Sequence, residues 1–416
     1  MRQSHTLDLS KAAGSQCGAS RAATRSTPVD TIPSHTISVW RQFILLIHHR
    51  TRLAVALVAL FAAAFLLVGC GAAPATGWSG PRVSGQMVYF GSQAGKLYAV
   101  STTDGSLKWQ FPTDKPLSPP SMYSTPVIVD NVVYFGAFDK TFYALDATTG
   151  AQKWSFDATE PVVSTPAVSN GIVYFGADDR KVYALDAATG TKKWEFPTGG
   201  QVWADITVDN GVLYAASLDH KLYALDATSG TKKWEFDAGG MIACKPAVAN
   251  GIVYVAGLSN VFAIDAATGK PKWDKPFVAS GWVWSNPNVV GGILYFGTLD
   301  TGDVYALDAT TGIPKWNAPF KAGGPVRSAI VIDSGVAYFG AEDNKVYAID
   351  AATGSGKWTY ATGSRIDASP AVDNGTVYVS SFDRMLYALN SADGKLKWQI
   401  DTGSGKLVTP TPPTSK

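Results

Sequence analysis

The sequence predicts an all-β protein made from one small antiparallel sheet repeated around a ring. Three observations predict it. Tryptophan recurs at Trp109, Trp154, Trp194, Trp234, Trp273, Trp316, Trp358 and Trp398, at intervals of 45, 40, 40, 39, 43, 42 and 40 residues, and a sustained period near forty marks a repeat array. Inside each period, short runs dense in β-branched and aromatic residues read as strands, as in Ile172-Val173-Tyr174-Phe175 and Val182-Tyr183-Ala184-Leu185. Turn chemistry separates the runs. Asp178-Asp179-Arg180 makes a hairpin of the first two, and Asp186-Ala187-Ala188-Thr189-Gly190 follows. In that second turn the Asp accepts backbone N–H groups and the Gly takes the positive φ that leads into the next strand.

The unit is completed by Ser164-Thr165-Pro166-Ala167-Val168 as its first strand and by a fourth strand that carries Trp194. Four antiparallel strands in forty residues make one propeller blade. The second-strand tyrosine occurs eight times, at Tyr89, Tyr134, Tyr174, Tyr214, Tyr254, Tyr295, Tyr338 and Tyr378. The first strand also occurs eight times when Ser79-Gly80-Pro81-Arg82-Val83 is aligned with residues 164–168. The expected fold is therefore an eight-bladed β-propeller of four-stranded antiparallel blades, with seven blades as the alternative. Closure protects sheet edges that an open array would expose. Leu407-Val408-Thr409-Pro410-Thr411-Pro412 also resembles a first strand. It competes with residues 79–83, lies beside the first blade, or ends the chain as a proline-rich tail.

The organisation expected is an extension and signal peptide over 1–69, a tether over 70–77, the propeller over 78–403 and a tail or closing strand over 404–416. Basic His48-His49-Arg50-Thr51-Arg52 precedes an apolar run from Leu53 to Val68 and then Leu67-Val68-Gly69-Cys70. A basic patch, an apolar stretch and small residues before a cut form a secretory signal. The last four residues resemble a bacterial lipobox, which implies cleavage before Cys70 and lipid attachment to it. The alternative is an uncleaved anchor, since the run is near the lower limit for a bilayer span. Both readings place the propeller outside the cytoplasm, tethered to a membrane. Gly71 after the lipidated Cys is compatible with outer-membrane sorting where the host has one.

The formal net charge of +2 argues against a nucleic-acid partner, which calls for a basic excess or stripe. Of the three cysteines, Cys17 and Cys70 belong to the signal region, which leaves Cys244 alone at the position of Ser164. A disulfide framework is then excluded within one chain, and a buried filler is the expected role. The single mature histidine, His220, sits in a hairpin turn and supports neither a metal cluster nor a nucleophile–His–acid set.

Positions at which all repeats agree are explained by the blade, so a unique site must lie where they differ. The start of the first strand diverges most, and in propellers it lines the central channel. Strand alternation places residues one and three before the proline position on one face. Trp203, Asp205, Lys245, Trp284, Asn286, Arg327 and Asp367 are thereby expected to converge at one channel mouth. The plainer expectation is that Asp205 and Lys245, on neighbouring blades, form a solvated pair at the rim.

Tyr183-Ala184-Leu185-Asp186-Ala187-Ala188-Thr189-Gly190 followed by Trp194 resembles the PQQ-type, tryptophan-docking propeller repeat of quinoprotein alcohol dehydrogenases. The match recurs from Tyr143 to Trp154, Tyr223 to Trp234, Tyr305 to Trp316 and Tyr347 to Trp358. It weakens at Ser101, Phe262 and Asn390, and covers about three quarters of the chain. The resemblance implies that each tryptophan packs between blades. The same repeat also builds BamB-like lipoproteins of the outer-membrane β-barrel assembly machinery, which a lipobox with little beyond the repeats resembles most. That implies a protein-binding scaffold, a monomeric ring with cell-envelope and β-barrel assembly partners, and no cofactor. The alternatives are a dehydrogenase holding PQQ with Ca²⁺ through Asp205, Asn286 and Arg327, and a carbohydrate- or polymer-binding module using Trp203 and Trp284. The quinoprotein enzymes resemble one another in a vicinal cysteine pair and in long insertions, both missing from this sequence.

Overall fold

The computed structural model describes residues 79–408. All of them belong to one compact unit, 72–416. Leu67, Val68, Gly69 and Cys70 lie outside the described residues, as does the apolar run before them.

The described residues are all β. Eight antiparallel sheets follow one another along the chain, seven of four strands and the last of five. In the third blade the strands are Ala167–Ser169, Ile172–Ala177, Lys181–Asp186 and Lys192–Pro197. Val173 opposes Val168 on one side and Leu185 on the other. The two middle strands are buried on both faces because each blade lies between two neighbours, so their sequence is a continuous apolar run and does not alternate. Phe175 stacks on Tyr183 at 5.2 Å, and Phe156 of the preceding blade meets both rings edge-on at 6.1 and 5.4 Å. Such aromatic pairs add about 0.5–1.5 kcal/mol each beyond their burial.

One contact repeats at every blade boundary. The Trp154 indole N–H donates to the Ala187 carbonyl of the next blade at 3.0 Å, and the Tyr134 hydroxyl donates to the same oxygen at 3.0 Å. The two rings lie 5.9 Å apart. Beneath the indole passes Gly190, with φ of +74°, where an added Cβ would come within 2.7 Å of the ring. The glycine therefore answers two demands, a left-handed backbone and close approach of a flat aromatic face.

The same contact closes the ring. Trp398 of the last blade donates to the Thr102 carbonyl of the first at 3.3 Å and covers Gly105. Arg82–Ser84 is the first strand of the first blade, so that blade is built wholly from the N-terminal side. Among the described residues the tail supplies no inner strand, and Thr409 to Pro412 lie outside them. Lys406–Leu407 instead pairs with Leu396–Asp401 as a fifth, outer strand of the last blade. It also reaches the first blade, because a Cβ on Gly105 would lie 3.0 Å from the Leu407 side chain.

Blades five and six depart from the expectation that every tryptophan sits on a fourth strand. Pro271 and Pro314 lack the N–H the ladder needs, and only isolated bridges to Ile264 and Leu307 form there. Trp273 and Trp316 follow in irregular backbone, and the fourth strands shrink to Phe277–Val278 and Phe320–Lys321. The aromatic that follows the tryptophan by two residues in blades one to four and seven follows it here by four, which is why the period lengthens. Docking survives: Trp273 donates to Ala309 and Thr310, and Trp316 to Ala351.

Two glycines of the third blade isolate the value of docking. Gly171→Ala meets open space at φ of +71° and is expected to cost only the left-handed penalty, about 1 kcal/mol. Gly190→Ala must also displace the indole, and about 3 kcal/mol or more is expected. Urea denaturation midpoints of the two variants compare them directly; equal losses would remove the indole–glycine contact as a stabilising element.

Candidate functional site

The channel is lined by the lead-in segments of the eight first strands. The residue one before the proline position lies beside its counterpart in the next blade, and a hydrogen bond often joins them. The Gly80 N–H donates to Thr125 Oγ1 at 3.1 Å, Thr125 N–H to Thr165 Oγ1 at 3.2 Å, and Thr165 N–H to Asp205 Oδ1 at 2.9 Å. Lys245 N–H donates to Asn286 Oδ1 at 2.7 Å, and Ala329 N–H to Ser369 Oγ at 2.9 Å. Asn286 then reaches past one blade to donate from Nδ2 to Asp205 Oδ2 at 3.1 Å. These residues form a polar girdle at the waist of the channel.

The girdle separates two chambers. The first, ≈ 270 Å³, takes Trp203, Trp284, Arg327 and Asp367 into its wall, with Asp205 and Asn286 at its floor. The second, ≈ 440 Å³, takes Lys245 and Arg82. Six of the seven residues singled out by sequence thus line one chamber, while Lys245 faces the other. Asp205 and Lys245 do not form the expected rim pair: Asp205 has both oxygens engaged by Thr165 and Asn286. In the second chamber, burial lowers the Arg82 guanidinium pKa and the Asp205 carboxylate partly offsets this.

The wall of the first chamber is aromatic and acidic. Trp203 and Trp284 face one another at 6.5 Å, tilted by 49°, and Tyr123 and Phe138 form a second pair at 5.5 Å. Arg327 lies 5.2 Å from the Trp284 ring and gives its Nε–H to Glu342 at 2.6 Å. Trp203 donates its indole N–H to Asp178 Oδ1 at 2.7 Å. Burial pushes the Asp178 carboxyl above the usual range, and the indole N–H holds it partly back.

Asp367 is 5% exposed. Its Oδ2 lies 3.4 Å from Arg365 Nε and 4.0 Å from Arg327 Nε, while Oδ1 has no hydrogen-bond partner. Burial dominates over both guanidiniums and pushes the carboxyl up to about 6.

Sequence reasoning missed Asp178, Phe138 and Glu342, which reach this end of the channel from hairpin turns. A signal was present. The same turn position reads Phe138, Asp178, Leu218, Leu258, Leu299, Glu342 and Phe382 around the ring, varying as much as the lead-in positions. Cys244 stands where five blades place serine and two place alanine, with Sγ 3.7 Å from the Ala256 carbonyl, and burial pushes its thiol up to about 11. His220 is exposed in its hairpin turn.

A quinone bearing several carboxylates with Ca²⁺ fits this lining poorly. Three carboxylates face one guanidinium, and that guanidinium is already paired with Glu342. Asp205 and Asn286, the donors such a cation would need, are committed to the girdle. Among the described residues no three His, Cys, Asp or Glu side chains are placed to hold a metal ion.

The raised Asp367 carboxyl makes a pH-dependent stability prediction. Its folded pKa lies above the ordinary value, so ionising it destabilises the fold, and the loss develops between about pH 4 and 6 and persists above. Asp367→Asn removes the ionisation. The variant is expected to gain roughly 1–3 kcal/mol over wild type near pH 8, a gain that fades toward pH 4. Denaturation at the two pH values checks the sign, and a variant less stable at pH 8 than at pH 4 relative to wild type contradicts it.

Comparisons with known proteins agree on the fold. A solved structure of a computationally designed protein, Ika8, superposes with a TM-score of 0.66 at 17% identity, covering 76% of this chain and 96% of the other. BamB from Moraxella catarrhalis gives 0.60 at 20% identity, covering 72% and 90%. A europium-containing methanol dehydrogenase gives 0.57 at 16%, covering 75% and 82%. At these identities the likeness is one of fold alone. No curated protein sequence matches significantly. The family model described as outer membrane protein assembly factor BamB matches residues 39–165, 143–244, 238–329 and 301–415. With that span matched, a PQQ-type repeat throughout and an eightfold ring closed by docked indoles, the chain belongs to this BamB-type family of β-propellers.

Proposed function

We propose that the protein is a membrane-anchored, extracytoplasmic lipoprotein that acts as a protein-binding scaffold in the assembly of outer-membrane β-barrels. The observation that carries the proposal is an apolar arc on the rim of the first chamber. Trp203, Met241 and Trp282 stand on the lead-in loops of blades four, five and six, exposed by 37, 41 and 46%. Equivalent backbone bonds hold these loops: Leu258 N–H donates to Met241 O, and Leu299 N–H to Trp282 O. Leu218, Leu258 and Leu299 occupy the adjoining turns, where blades three and seven carry Asp178 and Glu342. Large exposed apolar side chains grouped on one rigid face suit a protein partner. Membership of the family supports the setting, and the lipobox at Cys70 supports the anchor.

Two experiments test the parts separately. A photo-crosslinking residue placed at Met241 or Trp282 is expected to capture a reproducible envelope protein in cells, whereas one at the exposed Asn210 turn is not. Capture from all three positions alike, or from none, would count against a docking arc. Cys70→Ser is expected to abolish fatty-acid labelling and release the protein from the membrane fraction; retention of the label would remove the lipoprotein assignment.

A further inference from the structure

The first chamber has features that a docking rim does not require. It is a small cavity, near the low end of the range for ligand pockets. Its walls carry two aromatic pairs, Trp203 with Trp284 and Tyr123 with Phe138. One of these rings already holds a cation over its face, since the Arg327 guanidinium lies 5.2 Å from Trp284. Aromatic faces attract cations most strongly where water is excluded. Beside them sits Asp367, a buried carboxylate with one oxygen unpartnered.

We propose that the first chamber binds a small organic ammonium ion, held against the Trp203–Trp284 and Tyr123–Phe138 walls and ion-paired with Asp367. The charges around Asp367 set the choice of ligand. Arg365 precedes it on the same lead-in segment and lies over Phe382 at 4.1 Å, and Arg327 comes from the preceding blade with its partner Glu342. Asp178 and Asp205 complete the lining, both acidic. Two guanidiniums at 3.4 and 4.0 Å still leave the carboxyl displaced upward by burial. The carboxylate is therefore under-compensated, and an ammonium in the chamber it lines supplies part of the missing positive charge. An anion would instead meet three carboxylates.

Binding of a cation next to a carboxyl that titrates near 6 drives the proton off, so affinity rises with pH through that region. The group carries the negative charge that pairs with an ammonium only when ionised. Of the docking arc only Trp203 lines this chamber, so the ligand site does not depend on Met241 or Trp282.

The test uses the full chain purified in detergent, with fluorinated tryptophan for ¹⁹F spectroscopy and calorimetry. Benzyltrimethylammonium is the probe, with benzenesulfonate and a methyl glucoside as anionic and neutral comparators. Saturable binding with a Kd below about 1 mM is expected, shifting the Trp203 and Trp284 resonances and weakening at least about fivefold from roughly pH 7.5 to pH 5. Asp367→Asn and Trp203→Ala are expected to weaken it by about tenfold or more, while Asn210→Ala in an exposed strand turn leaves it within about twofold. Should Asp367→Asn fail to fold, Asp367→Ser takes its place with the same expected loss. Absence of saturation, equal or tighter binding of the sulfonate or glucoside, or an unchanged affinity in the acidic-residue variants would each overturn the proposal.

Discussion

Everything in this molecule depends on an indole laid flat over a glycine with its N–H pointed at a carbonyl of the next blade. The contact combines three requirements in one place. A large apolar surface is buried, a donor that burial would orphan is satisfied, and the partner backbone is forced into a turn that only glycine adopts at low cost. Trp154, Ala187 and Gly190 meet these conditions at one boundary, and Trp398, Thr102 and Gly105 meet them at the seam. Blades five and six show which features are essential. Their prolines disrupt the outer ladder, yet the indole hydrogen bonds persist, and Phe277 still meets Phe296 and Tyr305 edge-on. The outer ladder shrinks to two residue pairs while the docked ring stays in place.

The rigidity that results makes an unusual interior possible. A buried carboxylate with an unpartnered oxygen, such as Asp367, would relax its surroundings in a softer protein. Here the lead-in segments are fixed by the girdle through Thr125, Thr165, Asp205 and Asn286, and by blade packing behind them. Local strain of this kind persists where the surrounding structure over-determines it. The same girdle divides the channel, so its two ends are chemically distinct: one aromatic and acidic, the other carrying Arg82 and Lys245.

Most of the ring was legible in the sequence because each repeat obeys the same local rules. The tryptophans, the second-strand tyrosines and the turn glycines recur at fixed offsets since each must make the same contact. Features used once were harder to read. The outer pairing of Lys406–Leu407 serves the seam alone, and its sequence resembles an inner strand. Asp205 and Asn286 look like ligands, yet they accept backbone N–H groups as Thr125 and Ser369 do elsewhere. Side chains of four types fill one structural role, and divergence at that position misled. Asp178 and Glu342 were overlooked for the opposite reason: a polar residue in a hairpin turn reads as solvated, and only the closed ring turns it toward the channel mouth.

The seam has an architectural corollary. Among the described residues no strand is exchanged between the two ends of the propeller, because Arg82–Ser84 opens the first blade and Lys406–Leu407 merely borders the last. Each of the eight junctions is therefore built on the same indole contact, so the place at which the polypeptide starts its circuit is not fixed by that contact. Such a ring tolerates circular permutation and growth by duplication of a single unit, with the number of members set by the wedge angle between docked neighbours and not by a latch.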